Sequence, residues 1–109
     1  MDIHALFSLK GKTAVVTGAS GALGGAAVRA MAYAGANVAA CYNSGRERLD
    51  TLISEIGDVG VEIKPYKVNS FSQDEIRQHD EEVMSDFSGI DVVINTAGGN
   101  VKGAYYTDE

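Results

Sequence analysis

The sequence predicts an α/β fold, a parallel sheet with helices on both of its faces. Three observations predict it: short apolar runs alternate with longer segments of helical spacing, glycines separate them, and a glycine-rich turn joins the first run to the first helical segment. Alternation of this kind is typical of βαβ units, in which consecutive strands run parallel. We therefore expect about four strands in the order 3-2-1-4, which is part of a doubly wound sheet.

The first half of the chain contains two predicted strands and two predicted helices. Strands are predicted over Thr13–Thr17 and Asn37–Tyr42, with an alanine-rich helix over 22–34 between them that ends at Gly35. A second helix, with Ser44 as its expected cap, follows the second strand. Its apolar residues recur with the period of one helical face, at Leu49, Leu52, Ile53 and Ile56.

The second half adds a third and a fourth strand on either side of a third helix. The third strand is predicted over 61–68 and contains Pro65, which cannot donate a ladder hydrogen bond, so we place it at the sheet edge. The helix begins with a capping box over 72–75. The fourth strand, over 91–95, is a nearly continuous apolar run, which is typical of a central parallel strand. The expected buried face of the third helix consists of Ile76, Val83, Met84 and Phe87.

Composition excludes several classes of protein. The 109 residues fit one small domain or part of a larger one, and 45% of them are hydrophobic, as in a globular chain. A net charge of −6 argues against general nucleic-acid binding, and no apolar run approaches the ~20 residues that span a bilayer. The start lacks the features of a secretory signal, and the one cysteine, Cys41, cannot form an internal disulfide. We therefore expect a cytoplasmic protein with no membrane, nucleic-acid or metal partner.

The turn between the first strand and the first helix points to a phosphate ligand. It reads Thr-Gly-Ala-Ser-Gly-Ala-Leu-Gly over 17–24, with glycines at Gly18, Gly21 and Gly24. Glycines let the backbone approach a pyrophosphate, and the helix N-terminus offers free N–H groups and a partial positive charge. No Gly-Lys-Ser/Thr follows, so the turn is not the phosphate loop of a nucleoside triphosphatase. A purely structural tight turn is the alternative interpretation.

This turn and a second motif together resemble the short-chain dehydrogenase/reductase family. The family's turn pattern is Thr-Gly-x-x-x-Gly-x-Gly, and its signature after the fourth strand is Asn-Asn-Ala-Gly, which here reads Asn95-Thr96-Ala97-Gly98. The resemblance covers essentially the whole chain and implies that 1–109 is the N-terminal, cofactor-binding part of a single Rossmann domain. It also implies that Asn95 braces the central strand and that Ala97 and Gly98 lie beside the cofactor ribose.

Two departures from the family pattern bear on the branch of the family. Ala22 stands where the family has its second turn glycine, and Gly21 comes one position earlier, as in the extended branch that often acts on nucleotide sugars. Thr96 replaces the second Asn of the other motif. The short connections and the Asn-x-Ala-Gly motif resemble the single-domain branch, which we favour.

The end of the second strand is expected to select the cofactor. An acidic residue there would bind the adenosine 2′-hydroxyl of NAD, but the sequence has no acid between Asp2 and Glu47. Asn43, Ser44 and Arg46 could instead donate to the 2′-phosphate of NADP, and this part of the chain resembles NADP-using ketoacyl reductases of the family. We therefore favour NADP(H) over NAD(H).

Other side chains receive mostly structural interpretations. Asn69 falls where the family has an Asp that contacts the adenine amino group, and Ser70 follows it. Cys41 is expected to be a small strand residue with no base nearby, and His79 a packing residue rather than a ligand. The candidate cofactor-binding residues are Gly18, Ser20, Gly21, Ala22, Leu23, Gly24, Asn43, Ser44, Arg46, Asn69, Ser70, Asn95, Ala97 and Gly98.

The resemblance implies a parent oxidoreductase that transfers hydride between a nicotinamide dinucleotide and a small carbonyl or alcohol substrate. In the family a Ser polarises the carbonyl and a Tyr-x-x-x-Lys pair moves the proton; no such set follows Asn95, and Tyr105 and Tyr106 come too early. No catalytic residue is therefore assigned, and the 109-residue chain is expected to be inactive alone. An extended-branch epimerase or dehydratase and a non-catalytic nucleotide-binding protein are the alternatives. A fourth strand followed only by a loop and a short tail would leave an apolar edge, so we also expect self-association.

Overall fold

Strands and helices alternate along the part of the chain that the structure describes. The structure is a computed structural model, and it describes residues 8–69 and 72–96. The elements are β1 (Thr13–Thr17), α1 (Ala22–Tyr33), β2 (Asn37–Tyr42), α2 (Arg46–Ile56), β3 (Ile63–Lys67), α3 (Gln73–Phe87) and β4 (Val92–Asn95).

The four strands form one parallel sheet in the order β3-β2-β1-β4, which confirms the predicted order. Val15 in β1 pairs with Ala39 in β2 and with Val93 in β4, so these three residues point to the same face. β1 is buried nearly throughout, because strands flank it on both sides and helices cover it. The carboxyl ends of β1, β2 and β4 therefore meet at one edge of the sheet.

The helices cover both faces, as expected for a doubly wound sheet. On one face α1 and α2 pack on alternate strand residues, with Val28 and Leu49 buried against Val16, Val38 and Ala40. On the other face α3 packs on the intervening residues, and its fully buried Val83 belongs to a cluster around Val15, Ala39, Cys41 and Tyr66. No helix in the described ranges is long and apolar enough to cross a membrane.

The third strand lies at the sheet edge, as its proline predicts. β3 covers Ile63–Lys67, somewhat less than the predicted 61–68, and pairs with β2 alone. Pro65 lies opposite Ala40 of β2. Because no strand of the described residues lies on the other side of β3, the missing N–H of the proline costs the sheet little there.

The start of α2 differs from the prediction. Gly45, not Ser44, occupies the cap position, in a left-handed conformation with φ +82° and no side-chain cap. The chain needs a residue that tolerates positive φ at this point, and glycine adopts it without steric cost. The carbonyl of Ser44 instead accepts a hydrogen bond from the Ser20 hydroxyl, 2.6 Å away, so this residue joins two loops and does not cap the helix.

At the start of α3 the predicted capping box is half formed. The hydroxyl of Ser72 accepts from the backbone N–H of Glu75 at 3.3 Å, as predicted. The Glu75 carboxylate does not return to Ser72; it accepts from the backbone N–H of Asn69 at 3.1 Å. The Glu75 side chain therefore links α3 to Asn69, which follows β3.

The buried face of α3 also differs in part from the prediction. Val83 is fully buried as predicted, but Ile76 and Met84 are 37% and 52% exposed, and His79 takes a buried position between them. The helix covers the β1–β2–β3 side of its face, because its buried cluster contains residues of those strands. Val93 of β4, on the same face, is 64% exposed.

Candidate functional site

The glycine-rich turn after β1 presents a helix N-terminus. Gly18 has φ +65°, and its carbonyl accepts from the N–H of Gly21 at 3.0 Å, which closes the turn. α1 then begins at Ala22, and its cap residue offers no side-chain hydrogen bond. The N–H groups of the first helical turn have no carbonyl one turn earlier within the helix, so they are available to an anion.

Gly18 and Gly24 leave no room for side chains. A Cβ added at Gly24 would overlap the backbone of Gly18 and lie 2.7 Å from Thr96 Oγ1. A Cβ added at Gly18 would also lie 2.7 Å from that oxygen. The two glycines therefore let the turn, the start of α1 and the end of β4 pack backbone to backbone, as in a dinucleotide-binding turn.

Hydrogen bonds fix the turn to the strand on each side of β1. Towards β2, the N–H of Ala19 donates to the carbonyl of Cys41 at 2.9 Å, and Ser20 bonds to Ser44. Towards β4, the Thr17 hydroxyl donates to Asn95 Oδ1 at 2.7 Å and accepts from the N–H of Thr96 at 3.1 Å. The position of the turn is therefore set by two neighbouring strands and not by β1 alone.

The two arginines of the first turn of α2 have different surroundings. Arg46 donates to Asp50 at 2.8 Å and to the Tyr42 hydroxyl at 3.0 Å, and these hydrogen bonds, the one with Tyr42 first, raise its pKa. Arg48 has no hydrogen bond or ion pair with any described residue, and its guanidinium lies beside Gly45, where an added Cβ would be 3.1 Å away. Of the two arginines, Arg48 is therefore the one whose guanidinium donors are free among the described residues near the turn.

A cavity of about 590 Å³ opens at the carboxyl ends of β1, β2 and β4. The predicted residues that line it are Gly18, Ser20, Gly21, Asn43, Ser44 and Asn95, joined by Arg48 and Thr96. Towards α3 the cavity extends over an apolar wall that includes Val15, Ile76 and Val93. The combination of a helix N-terminus, loop amides and an apolar wall suits a nucleotide.

The remaining predicted site residues lie at or outside the cavity's margin. Ala22 borders a second, shallower cavity on the outer side of the turn, and Leu23 is 73% exposed. Gly24 is buried in the packing described above, and Arg46 is not among the lining residues. Asn69 is half-buried, its N–H bonded to Glu75. Three predicted residues lie outside the described part of the chain, and they are Ser70, Ala97 and Gly98.

One prediction about the buried thiol is wrong. Cys41 does have a base nearby, because His79 Nε2 lies 2.9 Å from its Sγ, and Asp80 Oδ1 lies 3.4 Å from His79 Nδ1. Burial, and secondly the charge of Asp80, raises the pKa of the Cys41 thiol to about 12. The thiol is therefore neutral at physiological pH and serves as a hydrogen-bond partner, not a nucleophile. The prediction that His79 packs is confirmed, since it is buried and its ring meets that of Tyr66 edge-on at 5.2 Å.

Comparison with known proteins decides the family. A family model described as short chain dehydrogenase matches residues 12–108. The chain belongs to this family. An NADP-dependent mannitol dehydrogenase of Hypocrea jecorina is 43% identical over 96 residues, which cover 85% of this chain and 36% of that protein.

Solved structures of short-chain dehydrogenases show the same fold. A dehydrogenase/reductase from Sinorhizobium meliloti has a TM-score of 0.82 at 33% identity, over 88% of this chain and 38% of that one. A protein from Haemophilus influenza with bound NAD has a TM-score of 0.77 at 29% identity, over 99% of this chain and 40% of that one. The chain thus spans 36% to 40% of the length of these three proteins.

Two residues of the site were not among the predicted ones. Arg48 was not predicted because Arg46 is nearer to the end of β2. The structure shows that Arg46 donates hydrogen bonds to Asp50 and Tyr42. Thr96 was noted as a departure from the family motif, but its contact with the glycine-rich turn depends on the pairing of β1 with β4. Arg46 and Asp50 are four residues apart on a helix, and this spacing predicts an ion pair between them. That ion pair would leave Arg48 as the arginine available to a ligand.

Proposed function

We propose that this chain is the cofactor-binding part of a single Rossmann domain, and that the whole protein is an NAD(P)-dependent oxidoreductase. The observation that carries the proposal is the glycine-rich turn, which opens the N-terminus of α1 beside the cavity at the carboxyl ends of the strands. Gly18 and Gly24 let the turn, the start of α1 and the end of β4 pack closely, which supports a dinucleotide-binding turn. The mannitol dehydrogenase is named as an NADP-dependent enzyme, which also favours redox chemistry over nucleotide-sugar chemistry.

The chain's own residues would bind and orient the cofactor. A nicotinamide dinucleotide supplies hydride chemistry when bound, and the protein positions it. The backbone N–H groups at the start of α1 would bind the pyrophosphate, and Asn95, bonded to Thr17, keeps the end of β4 at the cavity. The substrate, a small carbonyl or alcohol compound, and the proton-transfer groups would be handled by residues outside 1–109.

NADP(H) fits the cavity better than NAD(H) on grounds of charge. At the end of β2 the cavity is lined by Tyr42, Asn43 and Ser44, none of which is acidic. Glu47 borders a separate cavity on the outer side of α2, and the carboxylate of Asp80 comes from α3, beside His79. A 2′-phosphate at the β2 loop would therefore meet uncharged hydroxyl and amide groups there, while the Asp80 carboxylate lines the same cavity from the α3 side.

Arg48 is the cation best placed to bind that phosphate. It lines the cavity and has its donors free among the described residues, whereas Arg46 already donates to Asp50 and Tyr42. A charge-assisted hydrogen bond contributes about 1.5–3 kcal/mol, which is roughly tenfold or more in affinity. Arg46 is the predicted residue, and we place it second to Arg48.

Titration of the chain with NADPH and with NADH, followed by cofactor fluorescence, tests the proposal. We expect NADPH to bind more tightly, Arg48→Ala to reduce that advantage roughly tenfold, and Arg46→Ala to change it by less than about twofold. Asn43→Asp, which introduces a carboxylate at the β2 loop, should favour NADH. Far-UV circular dichroism of each variant controls for folding.

Each outcome of the titration has a distinct meaning. If neither cofactor binds the folded chain, the cofactor-binding proposal is wrong. Equal affinities for NADPH and NADH would overturn the cofactor preference alone. A larger loss with Arg46→Ala than with Arg48→Ala would return the phosphate contact to the residue that the sequence predicted.

Three further proposals concern self-association, cellular location and substrate. Self-association is supported by β4, which is an edge strand of the described sheet with Val93 64% exposed. A cytoplasmic location is supported by Cys41, which is a free and buried thiol. We propose a small carbonyl or alcohol compound as the substrate because the whole protein is proposed to be an oxidoreductase of this family.

A further inference from the structure

The ladder between β1 and β4 ends in a reciprocal pair of threonines. Thr17 and Asn95 are the last paired residues, and Thr96 follows. The N–H of Thr96 donates to the Thr17 hydroxyl at 3.1 Å, and the Thr96 hydroxyl donates to the Thr17 carbonyl at 2.5 Å. The side chain of each threonine thus bonds to the backbone of the other, at the point where the chain leaves β1.

The Thr96 hydroxyl also lies against the glycine-rich turn. Its oxygen is 3.4 Å from the Gly18 carbonyl, and it is the atom that a Cβ at Gly18 or Gly24 would approach to 2.7 Å. The Thr96 hydroxyl therefore occupies the space into which a side chain at Gly18 or Gly24 would extend. The same Gly18 carbonyl accepts the hydrogen bond from the N–H of Gly21 that closes the turn. The Thr96 hydroxyl therefore contacts the acceptor of that hydrogen bond.

We propose that the side chain of Thr96 is a positioning residue for the glycine-rich turn. Its hydroxyl holds the Thr17–Gly18 peptide, and through it the N-terminus of α1, in the conformation that leaves the first N–H groups of α1 open to a pyrophosphate. Without the hydroxyl the half-buried Thr17 carbonyl loses the hydrogen bond from Thr96, and the turn gains freedom to rotate about Gly18. The part of this proposal that concerns cofactor affinity rests on the proposed function.

Thr96→Ser and Thr96→Ala are a matched pair, because they differ by one hydroxyl group. Hydrogen exchange of the 109-residue chain, followed by NMR, measures the turn without any cofactor. In Thr96→Ala we expect the amides of Ala19 and Gly21 to exchange about five- to tenfold faster than in Thr96→Ser, which should match the unmodified chain. The amide of Val38, bonded to Glu62 at 2.8 Å on the far side of β2, should not change.

Cofactor affinity supplies the second measurement. Thr96→Ala should bind NADPH about five- to tenfold more weakly than Thr96→Ser. Both variants should bind adenosine 2′-monophosphate equally, because that nucleotide lacks the pyrophosphate that the turn holds. A general loss of structure would weaken both ligands and would also speed the exchange of Val38.

The two measurements separate failure of this proposal from failure of the proposed function. If the unmodified chain binds no nucleotide, the proposed function fails, and the exchange of Ala19 and Gly21 still decides the role of Thr96. Equal exchange at these amides in the Ala and Ser variants overturns the positioning role. If Thr96→Ala does not fold, Thr96→Cys replaces it, since a thiol has a similar shape but donates weakly; exchange equal to that of Thr96→Ser then overturns the proposal.

Discussion

Three glycines of this chain separate the cost of backbone strain from the cost of a steric clash. Gly11 has φ +81°, and a Cβ added there meets nothing within 4 Å. Gly24 lies inside α1, and a Cβ added there overlaps the Gly18 backbone and approaches Thr96 Oγ1 to 2.7 Å. Gly18 combines both conditions, with φ +65° and the same close approach to Thr96. Alanine should therefore destabilise the fold least at Gly11 and most at Gly18.

The magnitudes follow from the two conditions. A residue with a Cβ in the left-handed region costs about 1–2 kcal/mol, so Gly11→Ala should cost about 1 kcal/mol. Forcing a methyl group into a closed space costs about 1–3 kcal/mol, and Gly24→Ala regains up to about 1 kcal/mol through helix propensity. Gly18→Ala carries both costs, and we expect about 2–5 kcal/mol.

Urea unfolding of the three variants, monitored by circular dichroism, measures these free energies. NADPH affinity should fall severely in Gly18→Ala and in Gly24→Ala. It should stay unchanged in Gly11→Ala, because Gly11 precedes β1 and the turn follows the opposite end of that strand. If Gly18→Ala is no less stable than Gly11→Ala, the close packing of the turn against β4 is not present in solution. Normal NADPH binding by Gly18→Ala would contradict the role of the turn as the pyrophosphate site.

Three other predictions address activity, pH and association. The 109-residue chain should reduce no carbonyl substrate with NADPH or NADH above the buffer rate; turnover by the pure chain would contradict the absence of a catalytic set. Hydrogen bonds from Lys64 and then Tyr66 lower the pKa of Asp86, so its contribution to stability is present above the ordinary value of 3.8 and is lost as the pH falls below it. Urea unfolding between pH 2 and pH 6 should therefore show a flatter acid decline in Asp86→Asn than in the unmodified chain, and an equal decline would refute the assignment. Light scattering should show that the chain self-associates and that Val93→Lys reduces this self-association. A monomer whose size does not change with concentration would contradict the proposed self-association.

The order of the elements was predictable from the sequence because each strand carries its own signal. The bounds of β1 and β2 were predicted to the residue, since both are short apolar runs ended by glycine or by polar residues. The edge position of β3 followed from Pro65, whose missing N–H is a property of the residue itself. Local signals of this kind need no knowledge of the rest of the chain.

Three features near the site were not predicted, each for a different reason. The partner of Cys41 is His79, 38 residues later, and the periodicity of α3 gives no sign that its histidine faces β2. Arg46 and Arg48 look equivalent in the sequence, and only the position of Asp50 one turn later distinguishes them. The prediction that Ser44 caps α2 was wrong. Serine is the commoner cap residue, but the loop requires the positive φ that Gly45 supplies.

The position of the candidate site follows from the sheet order itself. β1 is the strand at which the connections change direction, with β2 on one side and β4 on the other, and the crevice outside its carboxyl end is where an open α/β sheet binds ligands. In this chain the turn that leaves β1 is bonded to both neighbours, to β2 through Ala19 and Ser20 and to β4 through Thr17 and Thr96. A change that moves either neighbouring strand must therefore move the turn, so the pairing of β1 with β4 is part of the binding site as well as part of the fold.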